Sequence, residues 1–342
     1  MSQNQLTRRE FLVSAGAAIA AAVACNLTPS ESQPTATTTP PAIFIPPFER
    51  TSTPTAASRS SWQRVLRIGH ITDIHMKATS DARVGMARAL QSVQSQADPP
   101  DFLLNTGDSI MDGLKTKKEF AVQNWDLFAS ILQENCSLPI YHAIGNHDVW
   151  GWGLGDPSIQ GDPLYGKGMA LQYLGLEKGY YSFDRGGWRF IVLDSTHTAE
   201  IQSVIPYTGK LDEEQFAWLE NDLAQTPAST PVCIATHIPI LSACEYFDGP
   251  NETTGNWVVP GAWMHIDARR FRELFLRYNN VRLCLSGHAH QLDAVGYLDV
   301  QYFCDGAVCG NWWNGSYMDF PPLYAMINLY EDGSSEREVI VY

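Results

Sequence analysis

Cations are scarce in this sequence: 23 Lys and Arg stand against 37 Asp and Glu in 342 residues, a formal charge of −14 with a pI near 5.0. Such a chain repels phosphate backbones, which argues against a nucleic-acid partner unless metal ions invert the local field. No Cys-x-x-Cys occurs, so a thiolate zinc site has no support. No repeat period is visible. Charged residues make up only 18% while 44% are hydrophobic, enough apolar material for a large core in one large or two ordinary domains. Ten Trp, 14 Tyr and 14 Phe imply an aromatic-rich wall, in core or pocket.

The apolar run Phe11–Ala24 is too short for a membrane-crossing helix but suits a signal segment, and Arg8 and Arg9 precede it. The stretch "TRREFLVSAG" resembles a twin-arginine export signal. Cys25, delivered by "AVAC", is placed like the lipidated cysteine of a bacterial lipoprotein, although Ala22 stands where that pattern prefers Leu; lipidated and unlipidated forms both stay open. Removal of residues 1–24, with two Arg and one Glu, would leave a charge of −15. Residues 26–60 hold seven Pro and thirteen Ser or Thr, a composition that cannot pack a core and reads as an extended tether. The expected organisation is a signal over 1–25, a linker over 26–60 and a catalytic domain over 61–342, exported to the periplasmic or extracellular face and tied to membrane only through the signal or a lipid anchor. The apolar "IFIPPF" inside the linker could dock on the domain. Six cysteines remain beyond Cys25; folding before export in a reducing cytoplasm argues against disulfides, and Cys233 and Cys284 read as small buried thiols.

From Trp62 onward, "VLRIGHIT", "PDFLLNTGD", "LPIYHAIGNHD", "WRFIVLDS", "PVCIATHIP" and "VRLCLSGHAH" read as strands, each running into polar residues at its C-terminal end. "ARVGMARALQSVQSQ", "KEFAVQNWDLFASILQEN", "DEEQFAWLENDLAQ" and "DARRFRELFLRYNN" read as helices, and further strands follow residue 290. This is an α/β pattern, in which ligands collect at the carboxyl ends of strands. Asp73 and His75 close the first strand, two apart and so on one face of it. Asp108 stands in "NTGDS", Asn146, His147 and Asp148 in "GNHD", His237 in "ATHIP", and His288 and His290 in "SGHAH". Five of the nine histidines fall in this set. Carboxylates, imidazoles and one amide oxygen brought together make an N/O site suited to Mn, Fe or Zn.

The ordered series Asp-x-His, Gly-Asp, Gly-Asn-His-Asp, His, Gly-His-x-His, spanning residues 73 to 290, resembles the calcineurin-like metallophosphoesterase family. The resemblance implies an α/β sandwich of two mixed β-sheets flanked by helices, with a dimetal site at the strand C-terminal ends. It implies one ion on Asp73, His75, Asp108 and His290, and another on Asp108, Asn146, His237 and His288, with Asp108 bridging. Two ions about 3.5–4 Å apart neutralise a phosphate and lower the pKa of a water between them. Asn146 adds an oxygen without further negative charge, and Gly107, Gly145 and Gly287 let backbone turn or approach closely. By the same resemblance His147 faces the substrate, where it bonds a phosphate oxygen or protonates the leaving oxygen. Asp148, its neighbour, is the acid expected to orient it.

Departures narrow the family. Its serine/threonine phosphatases place an orienting acid three residues after the bridging Asp, and purple acid phosphatases carry a tyrosine at the corresponding residue; here Met111 stands there. "LDSTHTAEIQSVIPYTGKLDEEQFAWLENDL" resembles the Leu-Asp-Ser, Gly-x-Leu, Gln-x-x-Trp-Leu pattern of the class III cyclic-nucleotide phosphodiesterase branch, although a strand and an amphipathic helix burying Phe216, Trp218 and Leu219 explain most of it. "GNWVVPGAWMH" and "GAVCGNWWNGSY" read as walls of a pocket or as packed loops. The expected activity is hydrolysis of phosphomonoesters or phosphodiesters, such as nucleotides or other small organic phosphates. A 3′,5′-cyclic-nucleotide phosphodiesterase and a non-catalytic binding protein of the same fold are the alternatives.

Overall fold

The computed structural model describes residues 62–199, 205–247 and 249–342. The signal, Cys25 and linker readings lie outside them. Their thirteen strands are β1 (Arg64–Ile71), β2 (Phe102–Asn105), β3 (Ile140–His142), β4 (Tyr181–Arg185), β5 (Trp188–Val192), β6 (Thr196–Thr198), β7 (Tyr207–Gly209), β8 (Val232–Ala235), β9 (Val281–Ser286), β10 (Leu292–Tyr297), β11 (Val300–Asp305), β12 (Leu323–Tyr330) and β13 (Ser335–Val341). The helices are α1 (Ser80–Gln94), α2 (Lys118–Asn135), α3 (Gly168–Leu174), α4 (Glu213–Gln225), α5 (Asn251–Thr254) and α6 (Ala268–Arg277). Among the described residues, no helix is long and apolar enough to cross a membrane.

One sheet runs β13-β12-β1-β2-β3, a second β10-β11-β9-β8-β5-β4, and β6 and β7 form a small ribbon. Both large sheets are mixed. In the first, β1, β2 and β3 are parallel and β12 is antiparallel to β1. In the second, β5, β8, β9 and β11 are parallel, with antiparallel β4 and β10 at the edges. The period-2 alternation of apolar residues assigns the layers. Leu66, Ile68, Phe102, Leu104, Ala325 and Ile327 of the first sheet pack against Phe190, Val192, Cys233, Ala235, Leu283 and Leu285 of the second. The intervening residues point outward. Leu103, Tyr324 and Met326 meet Met86, Leu90, Val93, Trp125 and Phe128 of α1 and α2. Val232, Ile234 and Cys284 meet Phe216, Leu219, Phe271 and Leu274 of α4 and α6. The result is the expected α/β sandwich with helices on both faces.

Local sequence explains the helix starts. Thr79 accepts from Ala82 N before α1, and Asp212 accepts from Gln215 N before α4, whose first turn carries Glu213 and Glu214 on the positive end of the dipole. Buried Ala82, Met86, Ala89, Leu90 and Val93 follow the helical repeat of α1. The six cysteines of the described residues are free thiols, Cys233 and Cys284 among the buried ones.

Candidate metal centre

Five parallel strands deliver the candidate residues at their C-terminal ends: Asp73 and His75 after β1, Asp108 after β2, Asn146 to Asp148 after β3, His237 after β8, and His288 and His290 after β9. One expectation needs correction. β1 ends at Ile71, so Asp73 and His75 share no strand face; they sit in the turn beyond it, with φ of 51° and 47°. Asp108, His288 and His290 also have positive φ, at 52°, 70° and 58°. Such conformations cost non-glycine residues free energy and persist where the surroundings over-determine them. Here backbone bonds do so: Asp73 N donates to Gly107 O at 3.0 Å, His75 N to Asp108 O at 2.9 Å and Gly287 N to His237 O at 3.1 Å. Close approach explains two glycines. A Cβ on Gly145 would lie 2.2 Å from Asp108 Oδ1, and one on Gly287 would lie 2.3 Å from Asp73 Oδ2.

The side chains converge as two donor sets with one atom in common. His75 Nε2 lies 3.0 Å from His290 Nε2, 3.5 Å from Asp108 Oδ2 and 3.7 Å from Asp73 Oδ1. On the other side, His237 Nε2 lies 3.2 Å from Asp108 Oδ2, 3.0 Å from Asn146 Oδ1 and 3.2 Å from His288 Nδ1. Asp108 Oδ2 therefore serves both sets, while its Oδ1 accepts from His147 N at 2.7 Å. Asp73, His75, Asp108, Asn146, His237, His288 and His290 are all buried.

For His237, His288 and His290 the remaining ring nitrogen fixes the tautomer. His237 Nδ1 meets Thr106 O at 3.0 Å, His288 Nε2 meets Ala262 O at 2.8 Å and His290 Nδ1 meets Gly310 O at 2.6 Å. A carbonyl can only accept, so each ring donates there and turns a lone pair into the centre, as ligating histidines do. Asp73 Oδ2 is satisfied by Thr72 Oγ1 and His288 N, but its Oδ1 is buried without a hydrogen-bond partner. An orphan carboxylate oxygen 3.3 Å from the lone-pair nitrogen Nε2 of His290 is a destabilising arrangement that a cation resolves. The residues thus fit two metal ions.

Electrostatics agree. Burial pushes the His75 imidazole down to about 4, keeping it neutral as a ligand must be. Burial also opposes charge on His237, yet Asp108 and Asp73 outweigh it and raise that ring to about 9. The negative field that would hold a proton on His237 equally attracts a metal cation. Burial pushes the Asp73 carboxyl up, but His290 and His75 hold it well below the usual range.

His147 stands beside the centre, its ring 4.8 Å from that of His75 and edge-on to it. Asp148 does not orient it. The Asp148 carboxylate accepts from Ser109 N at 2.7 Å, Ile110 N at 3.2 Å and Gly145 N at 2.9 Å, tying together the turns that follow β2 and β3. The acid on His147 Nδ1 is Asp112, at 3.0 Å. Sequence reasoning missed it by looking three residues past Asp108, at Met111; the acid in "GDSIMDG" stands one residue later. Burial lowers the His147 pKa, but Asp108 and the Asp112 hydrogen bond raise it to about 9.

The Trp-rich loop after β11 buttresses the Asp73–His75–His290 side. Cys309 N donates to Asp73 O at 3.1 Å, Trp313 Nε1 to His75 O at 3.1 Å, and the Trp312 ring packs 4.8 Å from that of His290. Of the other Trp-rich loop, Trp257 is exposed and Trp263 buried. In the Leu-Asp-Ser stretch, the Gln215 side-chain amide brackets the Asp194 backbone, and Ser195 Oγ accepts from Ile238 N beside His237. Phe216 and Leu219 are buried as expected and Trp218 partly so.

A sandwich carrying two histidine-carboxylate donor sets that share one aspartate defines a dinuclear phosphoesterase class. The pattern of the calcineurin-like phosphoesterase family matches residues 66–292, and the chain belongs to that family. Over 285 residues it is 27% identical to a 3′,5′-cyclic-nucleotide phosphodiesterase of Nostoc sp., covering 79% of this chain and 90% of that protein. A probable cyclic nucleotide phosphodiesterase of Synechococcus sp. is 26% identical over 236 residues, 66% of this chain and 74% of that protein. A dimetal phosphatase of Danio rerio shares the fold with a TM-score of 0.56 at 16% identity, over 82% of this chain and 100% of that one.

Proposed function

We propose that the chain is an exported, dinuclear metal-dependent hydrolase of small phosphate esters, with nucleotides and related organic phosphates as substrates. The observation that carries this reading is the pair of donor sets sharing Asp108 Oδ2, with His147 beside them. Asp73, His75, Asp108 and His290 would hold one ion, and Asp108, Asn146, His237 and His288 the other, drawn from Mn, Fe or Zn by the N/O donor set. When bound, two such ions supply positive charge to phosphate oxygens and lower the pKa of a water.

The protein's own contribution to the ester bond is a proton. His147 gives it to the leaving oxygen as the P–O bond breaks. Asp112 holds Nδ1 and steadies the imidazolium until then. A binding protein that had abandoned catalysis would have no need to keep His147 and every donor together. A second reading, hydrolysis of 3′,5′-cyclic nucleotides, is favoured by the names of the relatives.

Screening the metal-loaded protein against nucleotides, cyclic nucleotides, phosphomonoesters and phosphodiesters decides between these readings. Full activity after chelation contradicts both. Export rests on Arg8 and Arg9 before the apolar run: changing both to Lys is expected to strand the precursor inside the cell, and Cys25→Ala to release a soluble form if the protein is lipidated.

A further inference from the structure

A polar relay outside the donor sets, buried except at its Arg337 end, crosses the sandwich. Arg337 on β13 donates from Nη1 to Asp305 Oδ1 at 2.9 Å. Asp305 Oδ2, at the end of β11, lies 2.7 Å from His70 Nδ1 on β1, and His70 Nε2 lies 2.9 Å from Thr106 Oγ1. With the carboxylate accepting, Nδ1 bears a ring proton, and Nε2 shares a hydrogen bond with the Thr106 hydroxyl. His70 and Thr106 are 0% exposed and Asp305 1%. Leu66 and Ile68, which alternate with His70 along β1, belong to the apolar layer between the sheets. Polar groups there cost free energy unless every member is paired, and a well-packed apolar replacement is often as stable. Stability alone does not account for this relay.

Its far end does. Thr106 O is the carbonyl that accepts from His237 Nδ1, and Thr106 N donates to Ile71 O at 3.1 Å. Gly107, the next residue, presents the carbonyl that holds Asp73 N. The Thr106 hydroxyl is thus a clamp on the peptide that aims His237. We propose that His70 is a positioning residue for metal binding: through Thr106 it fixes the tilt of His237, and so sets how tightly Asp108, Asn146, His237 and His288 hold their ion. This rests on the dinuclear reading above.

The test titrates the metal-free full-length protein with Co²⁺, followed by visible absorption and by competition with a chromophoric chelator. Wild-type protein that takes up fewer than two ions sinks the dinuclear reading itself, whatever His70 does. Given two ions, His70→Asn and Thr106→Val, which removes the hydroxyl but keeps the carbonyl, are each expected to weaken one ion by up to about 10-fold, the lower end of the cost of losing a ligating histidine's direct partner, since that carbonyl remains. The absorption lost should be that lost in His237→Ala, with the other ion unchanged. Thr106→Ser should restore wild-type binding. The double variant should be no weaker than the worse single one, because both cut the same link. Parallel weakening of both ions, weakening of neither, or Thr106→Ser behaving like Thr106→Val overturns the proposal. A lower melting temperature without selective loss of one ion also overturns it, reducing His70 to a packing role. Should His70→Asn fail to fold, the two Thr106 variants decide alone.

Discussion

Asp112 Oδ1 lies 3.0 Å from His147 Nδ1, while Asp148, adjacent to His147 in the chain, spends its carboxylate on three backbone amides. The two acids should therefore separate in kinetics. His147→Ala is expected to keep both ions yet slow hydrolysis of alkyl esters by about 10²–10⁴-fold, with a smaller loss on a nitrophenyl ester whose leaving group needs no proton. Asp112→Asn should reproduce that leaving-group dependence in milder form, and Asp148→Asn should lower stability without it. Equal losses on both esters for His147→Ala would point to charge stabilisation instead of proton donation. Metal content is measured alongside.

Asp108 Oδ2 is the atom common to both donor sets, so its loss should be felt twice. Elemental analysis of Asp108→Asn is expected to show both ions depleted, whereas His75→Ala chiefly loses one. Equal depletion in the two variants would contradict bridging.

Gly85, in the middle of α1, should resist replacement. Gly→Ala inside a helix ordinarily stabilises by about 1 kcal/mol. Here the added Cβ would stand 2.0 Å from Trp313 Cζ3 and 2.5 Å from Cε3, atoms of a rigid ring. Overpacking of that kind costs about 1–3 kcal/mol, so the sign reverses. Gly85→Ala is expected to lower the melting temperature and, by shifting the ring whose Nε1 holds His75 O, to weaken the ion on that side. A rise in melting temperature would refute the argument.

His142 supplies a pH dependence unrelated to the donors. Burial holds its imidazole down to about 4, and its Nδ1 accepts from Asn105 Nδ2 at 3.1 Å. The unfolded chain protonates near 6.5 and the folded one only near 4, so the unfolded state binds more protons between those values. Stability is full above about pH 6.5 and should fall as pH drops toward 4, by about 3 kcal/mol from this residue. Urea melts of metal-free protein across that range should show a flatter slope for His142→Gln than for wild type.

The convergence of the candidate donors was legible because their chemistry is carried by side chains at strand ends, in an order that survives any uncertainty about loop shape. Asp112 was not, since which of several nearby acids reaches His147 depends on the path of the turn after β2. The end of β1 at Ile71 was hidden for a related reason: only the left-handed backbone at Asp73 and His75 reveals that the turn, not the strand, presents them. The acceptors that aim the histidines, Thr106 O, Ala262 O and Gly310 O, are backbone carbonyls, and every residue type has one. No sequence pattern could have singled them out.

The donors divide between the two sheets. Asp73, His75, Asp108 and Asn146 follow strands of one, and His237, His288 and His290 follow strands of the other. A bound metal pair is then a clasp across the sandwich. It exists only while both halves are in register, so it favours the folded chain over the unfolded one, by about 2.7 kcal/mol for each independent ion at a hundred times its dissociation constant. Metal supply would accordingly govern how long a molecule survives among proteases as well as how fast it turns over, and scarcity of the ion would clear the idle protein.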